Sequence, residues 1–281
     1  MSRKLKLKFD EIGYWSEIKL DIIKDYASAY SRVLSAQKRP SLYHVYIDAF
    51  AGAGVHISRT TGDFVPGSPL NALLINPPFR EYHLIDLNPD KVNSLKDQVG
   101  SRPQVHIYEG DCNLILHKDV FPKVLFKNYR RGLCLLDPYG LQVKWDVIQT
   151  SGQMKSIDLF LNFPVADINR NVLWRNPQDV DQADIERMNA FWGDESWRNI
   201  AYSTNRNLFG YPEKEDNEVV AEGFRERLEK LAGFKYVPKP LPMRNSKNAI
   251  IYYLFFASQK PVAINIIENI FTKYQGYRGE D

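Results

Sequence analysis

The chain reads as a doubly wound α/β fold, a mostly parallel sheet closed by an antiparallel hairpin and carrying a helical insert. Two observations lead there. Short β-branched and aromatic runs alternate with helix-forming segments from residue 43 to 164, the pattern of a parallel sheet with right-handed crossovers. Four successive runs are closed by an aspartate: Asp48, Asp86, Asp111 and Asp137. At 281 residues the chain is long enough for one large core.

The elements follow in order. Residues 14–34 predict an amphipathic helix, with Trp15, Ile18, Ile22, Tyr26, Ala29 and Val33 on one face. Arg39-Pro40-Ser41 ends it. Residues 43–48 (Tyr-His-Val-Tyr-Ile-Asp) predict the first strand, followed by a Gly-containing turn and a polar loop over 55–66. Gly67-Ser68-Pro69-Leu70 opens a short helix, with Ser68 expected at the N-cap and Pro69 at the first helical position. Further strands are expected at 82–86, 105–108, 133–137 and 157–164. Helices are expected at 89–99 and, broken by Pro122, at 114–129. Beyond residue 165 the sequence turns polar and Trp-containing, which predicts an inserted cap. A helix over 218–232, strands at 235–241 and 249–257 joined by a connection over 242–248, and a helix over 263–274 complete the chain. The expected organisation is a basic segment and helix (1–40), a ligand-binding core (41–164), a helical insert or cap (165–217) and a C-terminal completion of the core (218–281).

Composition narrows the function classes. No run of about 18 apolar residues predicts a membrane span. The Lys/Arg-rich start lacks the apolar stretch of a secretion signal, so a cytoplasmic protein is expected. Cys112 and Cys134 are far apart and the five histidines show no ligand spacing, so no metal is expected. The net charge of +3 is too small to speak for nucleic acid by itself.

Ligands of open α/β sheets bind at the carboxyl ends of the strands, where the four aspartates are expected. A carboxylate often ends a strand simply because the chain leaves the core there; four in succession point to a site. The turn Asp48-Ala49-Phe50-Ala51-Gly52-Ala53-Gly54 is Gly-rich, but Ile57 stands where the dinucleotide fingerprint needs its third glycine. Asp86 suits two ribose hydroxyls, with Leu87 beside it, and Asp111 suits an adenine amino group, with the main chain at Cys112 beside it. Together these describe an adenosine site without a pyrophosphate site.

The Asp48–Gly54 turn resembles the first motif of class I S-adenosyl-L-methionine-dependent methyltransferases. Gly110-Asp111 is similar to their adenine-binding position, and Leu136-Asp137-Pro138-Tyr139-Gly140 to the fourth motif of their amino-methylating members. More narrowly, residues 15 to about 193 resemble the three-Cys-motif partner (TcmP) family, through Trp15-Ser-Glu-Ile-Lys19-Leu, Gly67-Ser-Pro-Leu70, Phe191-Trp-Gly193 and the two motifs above. The resemblance implies a Rossmann-like methyltransferase with S-adenosyl-L-methionine as cofactor. It also implies a partner, since TcmP proteins are encoded beside radical S-adenosylmethionine proteins. It assigns cofactor binding to Asp48, Ala49, Phe50, Gly52, Gly54, Asp86, Leu87, Asp111, Cys112 and Asp137. Catalysis falls to Asp137, Pro138 and Tyr139. The fourth motif departs from the family pattern, because its second Pro is missing and its aromatic comes one position early. Asn76-Pro77-Pro78-Phe79 matches that motif better as text, but its place predicts a turn between a helix and a strand.

Three readings remain open: an amino-methyltransferase acting on a nucleobase in DNA or RNA, a methyltransferase for a small molecule or peptide, and a non-catalytic partner subunit. Lys123, Lys127, Arg130 and Arg131, and Arg170, Arg175, Arg198 and Arg206 among Trp174, Trp192 and Trp197, suit nucleic acid, though such tryptophans also pack a cap. A cytosine-C5 mechanism has no cysteine in the needed context. Lys19 is read as a solvated face residue, or as one reaching a carboxylate from the first helix.

Overall fold

The computed structural model describes residues 9–206, 210–245 and 247–275, with no side-chain description at 206. The basic residues of the first eight positions and the Arg206 side chain lie outside the described residues. The chain divides into two compact units, Met1–Leu135 with Asn269–Asp281, and Leu136–Glu268.

The first unit begins with β1 (Glu11–Ile12) and α1 (Tyr14–Ala36). The buried face of α1 is Ile18, Ile22, Ile23, Tyr26, Ala27 and Tyr30. Val33 is exposed, so the face is rotated from the expected one. Lys19 is only 8% exposed, which corrects its reading as a solvated residue. The strand β2 (Tyr43–Asp48) is almost wholly buried, as its unbroken apolar run requires. The expected polar loop instead forms β3 (Val55–Ser58) and β4 (Phe64–Pro66), which pair with each other, and β3 also pairs with β1, in a small separate sheet. Next come α2 (Ser68–Leu73), β5 (Glu81–Asp86), α3 (Pro89–Val99), β6 (Val105–Glu109), α4 (Cys112–Ile115) and β7 (Arg130–Leu136). The helix expected over 114–129 is broken from Leu116 on into a π-helical turn and two 3-10 turns, with Pro122, which lacks a donor, in the first 3-10 turn. Asn76-Pro77-Pro78-Phe79 lies between α2 and β5, with Phe79 buried.

In this unit β7, β2, β5 and β6 lie side by side in that order, and β2 pairs with β5 and β7, and β5 with β6, all in parallel. Counted along the core the order is 4-1-2-3, the Rossmann-like arrangement, with its switch point between β2 and β7. The register matters for the site. Asp48 lies opposite Leu84, so Asp86 extends two residues past the end of β2, alongside the turn that follows it.

The second unit holds α5 (Trp145–Gln153), β8 (Ile157–Phe163), α6 (Val165–Asn171), α7 (Gln182–Trp192), α8 (Trp197–Ala201), β9 (Tyr202–Arg206), β10 (Pro212–Lys214) and α9 (Asn217–Lys230). It continues with β11 (Leu241–Arg244) and β12 (Ile250–Ala257). The helix α10 (Pro261–Gln275) begins in this unit and ends in the first. β12 runs antiparallel to both β8 and β11. The closing hairpin therefore exists, but its first strand is 241–244 rather than 235–241. The earlier stretch holds only the bridge of Tyr236 to Ser258. The expected helical insert also contains an antiparallel pair, β9 with β10. Phe224 is the hub of this unit's core, ringed by Phe163, Phe191, Trp192 and Phe255 at centroid distances of 4.9–5.5 Å.

Candidate active site

The turn after β2 is fastened by its own amides. Ala49 N–H donates to Leu135 O, Phe50 N–H to Asp48 Oδ1, Ala51 N–H to Ile85 O and Gly52 N–H to Asp86 Oδ2, at 2.9–3.1 Å. All four donors are spent within the chain. This is not a nest of free amides for a phosphate, in keeping with the missing third glycine. The two glycines that matter play different parts. Both have positive φ, +64° at Gly52 and +86° at Gly54. A Cβ on Gly52 would meet nothing within 4 Å, so the turn borders open space there. A Cβ on Gly54 would stand 3.0 Å from Leu95 and 3.1 Å from Gln98 of α3, so Gly54 serves packing.

The four aspartates are not equivalent. Asp48 is fully buried. Its Oδ1 holds Phe50 N–H, and its Oδ2 accepts from Ser68 Oγ at 2.6 Å and Tyr46 OH at 3.4 Å. It therefore shapes the turn. Ser68 is spent on that bond and makes no cap; Gly67 occupies the N-cap of α2. Asp86 accepts one backbone N–H on each oxygen, Gly52 on Oδ2 and Asn88 at 2.8 Å on Oδ1. A carboxylate has about four acceptor sites, so both oxygens keep capacity for a further donor. Asn88 in turn caps α3 through its side chain, which fixes the chain beyond Asp86. Leu87 is 73% exposed, an apolar side chain held out beside that carboxylate. Asp111 caps α4, with Oδ1 taking both Asn113 N–H and Asn113 Nδ2 at 2.8 Å; its Oδ2 lies outside those bonds. Cys112 opens α4 with its side chain buried. Burial, reinforced by Asp111, pushes its thiol up to about 12. Burial also pushes the Cys134 thiol up. Neither is a thiolate nucleophile at neutral pH.

Asp137-Pro138-Tyr139-Gly140 belongs to the second unit. The Pro138 carbonyl accepts from Asn162 Nδ2 at 3.2 Å. Tyr139 is 73% exposed. A Cβ on Gly140 would stand 2.7 Å from Asp167 Oδ2, so a larger residue there would have to displace that carboxylate. Asn162, Asp167 and Ser68 were given no such role by sequence reasoning. Asn162 at the end of a strand reading Asn-Phe-Pro was the available signal.

Of the tryptophans in the insert, Trp192 and Trp197 are buried and pack the second unit's core, while Trp174 is part-exposed. Among the basic residues near 123–131, Arg130 is bound to Glu81 at 2.9 Å and lies over the Tyr43 ring. Arg131 lies over the Phe126 ring. The described residues include no group of three metal-ligating side chains and no helix long and apolar enough to cross a membrane.

No protein-family model and no curated protein matches the chain. Among solved structures it is similar to protein LPL1258 of Legionella pneumophila. The TM-score is 0.50 at 13% identity, covering 91% of this chain and 92% of that one. That likeness shows the fold. Weaker likenesses include the methyltransferase domain of bacterial CtHen1 (TM-score 0.41, 9% identity, 84% and 99% coverage). Another is a candidate S-adenosylmethionine-dependent methyltransferase of Listeria monocytogenes (0.41, 15%, 85% and 99%).

Proposed function

We propose that this chain is an S-adenosyl-L-methionine-dependent methyltransferase acting on an amino group of a nucleobase in DNA or RNA. The observation that carries the reading is Asp86. At the strand end of a Rossmann-like sheet, its carboxylate is pinned by two backbone amides and still has room for two more donors. It stands next to a turn whose first four amides, from Ala49 to Gly52, are spent within the chain and whose Gly52 borders open space. That set fits a ribose without a pyrophosphate, which distinguishes S-adenosyl-L-methionine from a dinucleotide.

In this reading Asp86 holds the ribose hydroxyls and Leu87 covers an apolar face of the ligand. Asp111 Oδ2 accepts from the adenine amino group, and Asp48 keeps the turn in shape. The bound sulfonium supplies a methyl group already activated for transfer, so the protein provides alignment and electrostatics. An exocyclic amine is a weak nucleophile because its lone pair is shared with the ring. Asp137 and the second lone pair of the Pro138 carbonyl accept its N–H hydrogens and favour a pyramidal nitrogen, while Tyr139 stacks on the ring.

A methyltransferase for a small molecule or peptide is the second reading. It is favoured by the carboxylates of Asp137, within the motif, and Asp167, beside Gly140, a poor setting for phosphates. The motif resemblance to TcmP proteins adds a radical S-adenosylmethionine protein as a proposed partner. The test is transfer of a labelled methyl group from S-adenosyl-L-methionine to RNA, single-stranded DNA and small amines, by wild type and Asp137→Ala. Transfer to a nucleic acid that falls at least a hundredfold in the variant, with cofactor binding retained, supports the proposal. Transfer only to small amines moves the reading to the alternative. No transfer at all contradicts both.

A further inference from the structure

The parallel strands of the first unit all start at one end of its sheet, so the segments that open them are gathered there. Those segments, residues 38–47, 76–80, 100–108 and 120–131, hold eight Lys or Arg and no Asp or Glu. The register brings them side by side. Tyr43 lies opposite Arg130, and Arg80 N–H donates to His44 O at 3.0 Å. Tyr82 lies opposite Val105, whose N–H donates to Arg102 O at 3.0 Å. Arg130 Nη1 donates to Lys123 O at 3.1 Å and Arg131 Nη1 to Phe126 O at 3.3 Å. The other ends of β2, β5 and β6 carry Asp48, Asp86 and Glu109. Charge is therefore sorted between two ends about 20 Å apart along β5.

Four of these cations are held open. Arg80, Arg102, Lys123 and Lys127 are exposed, and among the described residues none of the four is in an ion pair. Glu81, the acid at the start of β5, is buried and taken by Arg130 and His83. Asp119, close enough to act on Tyr108, pairs with none of the four. Aromatic residues stand among them. Phe126 is 44% exposed and Tyr129 53%. The Arg131 guanidinium lies over the Phe126 ring at 3.8 Å. Tyr129 is fixed by its main chain, with its N–H on Phe126 O and its carbonyl accepting from Tyr43 N–H, each at 3.0 Å.

Gathered like charges repel. A polyanion relieves that repulsion and releases its own counterions on binding. Exposed aromatics interleaved with the cations select a polyanion that also carries flat rings free to stack, which is a single-stranded nucleic acid. A duplex keeps its bases stacked on one another, and an acidic peptide has none. We propose that this face of the first unit binds single-stranded nucleic acid, with Arg80, Arg102, Lys123 and Lys127 on its phosphates and Phe126 and Tyr129 against its bases. The proposal deepens the nucleic-acid reading above and rests on it for purpose alone: the face grips the body of the substrate at the end of the sheet away from Asp86.

The test is fluorescence anisotropy of a labelled oligouridylate of about 16 nucleotides with the full chain and no cofactor. Four phosphate contacts on a single strand give a slope of log affinity against log salt of about −2.8, a fall of about fiftyfold between about 50 and 200 mM salt. Lys123→Gln/Lys127→Gln should halve that slope. The same loss of charge on the second unit, Lys235→Gln/Lys260→Gln, should leave it unchanged. Phe126→Ala should weaken binding about tenfold with the slope kept. The strand annealed to oligoadenylate, and polyglutamate used as a competitor, should bind more weakly than the single strand by about tenfold. No binding by wild type, an unchanged slope in Lys123→Gln/Lys127→Gln, an equal drop in the second-unit variant, an unchanged affinity in Phe126→Ala, or a duplex or polyglutamate that binds as tightly overturns the proposal. Each of these outcomes leaves the cofactor reading untouched. A chain that binds the oligouridylate but not S-adenosyl-L-methionine keeps this face and loses that reading instead.

Discussion

The strand β5 carries a carboxylate at each end, and the two are built differently. Glu81 at its start is buried among side chains. It pairs with Arg130 at 2.9 Å and His83 at 2.9 Å, with His106 at 3.6 Å. Asp86 at its finish takes only main-chain amides, one per oxygen, and keeps acceptor capacity. A carboxylate satisfied by side chains is committed to holding the sheet together. A carboxylate satisfied by rigid backbone donors is pre-organised, with lone pairs in reserve for a ligand. One carboxylate is therefore a stability device and the other a binding device.

The largest expected effect is on the first of these. Glu81→Gln removes one charge from a largely buried pair and should cost about 3 kcal/mol of unfolding free energy in urea titrations. That is the low end for such pairs, because Arg130 keeps 26% of its side chain exposed. S-adenosyl-L-methionine affinity should hold. A variant as stable as wild type would break the contrast.

Acid should act at the same end. Burial is the main cause that lowers His83 from 6.5 to about 4, against the opposing pull of Glu81. Burial pushes Glu81 up, but His83 and Arg130 outweigh it and leave its carboxyl below the usual value. Between about pH 6.5 and 4 the unfolded chain binds a proton at residue 83 that the folded chain refuses, so stability falls as pH drops through that window. The Glu81 contribution is lost lower still, as pH falls through its depressed folded value. Melting temperature measured against pH should decline across the window, and less steeply in His83→Gln. A flat profile in wild type would contradict the account.

At the binding end, Leu87→Ser should leave stability unchanged, since the side chain is 73% exposed. It should weaken S-adenosyl-L-methionine about fivefold, roughly 1 kcal/mol for part of a leucine side chain covered by ligand. An unchanged affinity would remove Leu87 from the site.

Most of the sheet was legible because its strands are continuous apolar runs closed by aspartates, and the Asp48 turn, Asp86 and Asp111 fall where that pattern put them. The losses have physical causes. β3 and β4 are only four and three residues long, too short for a period to mark them, and β3 also pairs with β1, some forty residues earlier in the chain. The strand β11 begins Leu-Pro-Met-Arg; its proline read as a connection, yet an edge strand tolerates it. Ser68 looked like a helix cap because nothing local reveals that Asp48, twenty residues earlier, takes its hydroxyl.

The central claim is that Asp86 is an adenosine-binding carboxylate. Calorimetric titration of S-adenosyl-L-methionine into wild type and Asp86→Ala tests it most directly. The account predicts saturable binding by wild type, weakened about a hundredfold in the variant by loss of two hydrogen bonds to a charged acceptor, with the fold retained. Equal affinity in the two proteins, or no binding by folded wild type, would contradict it.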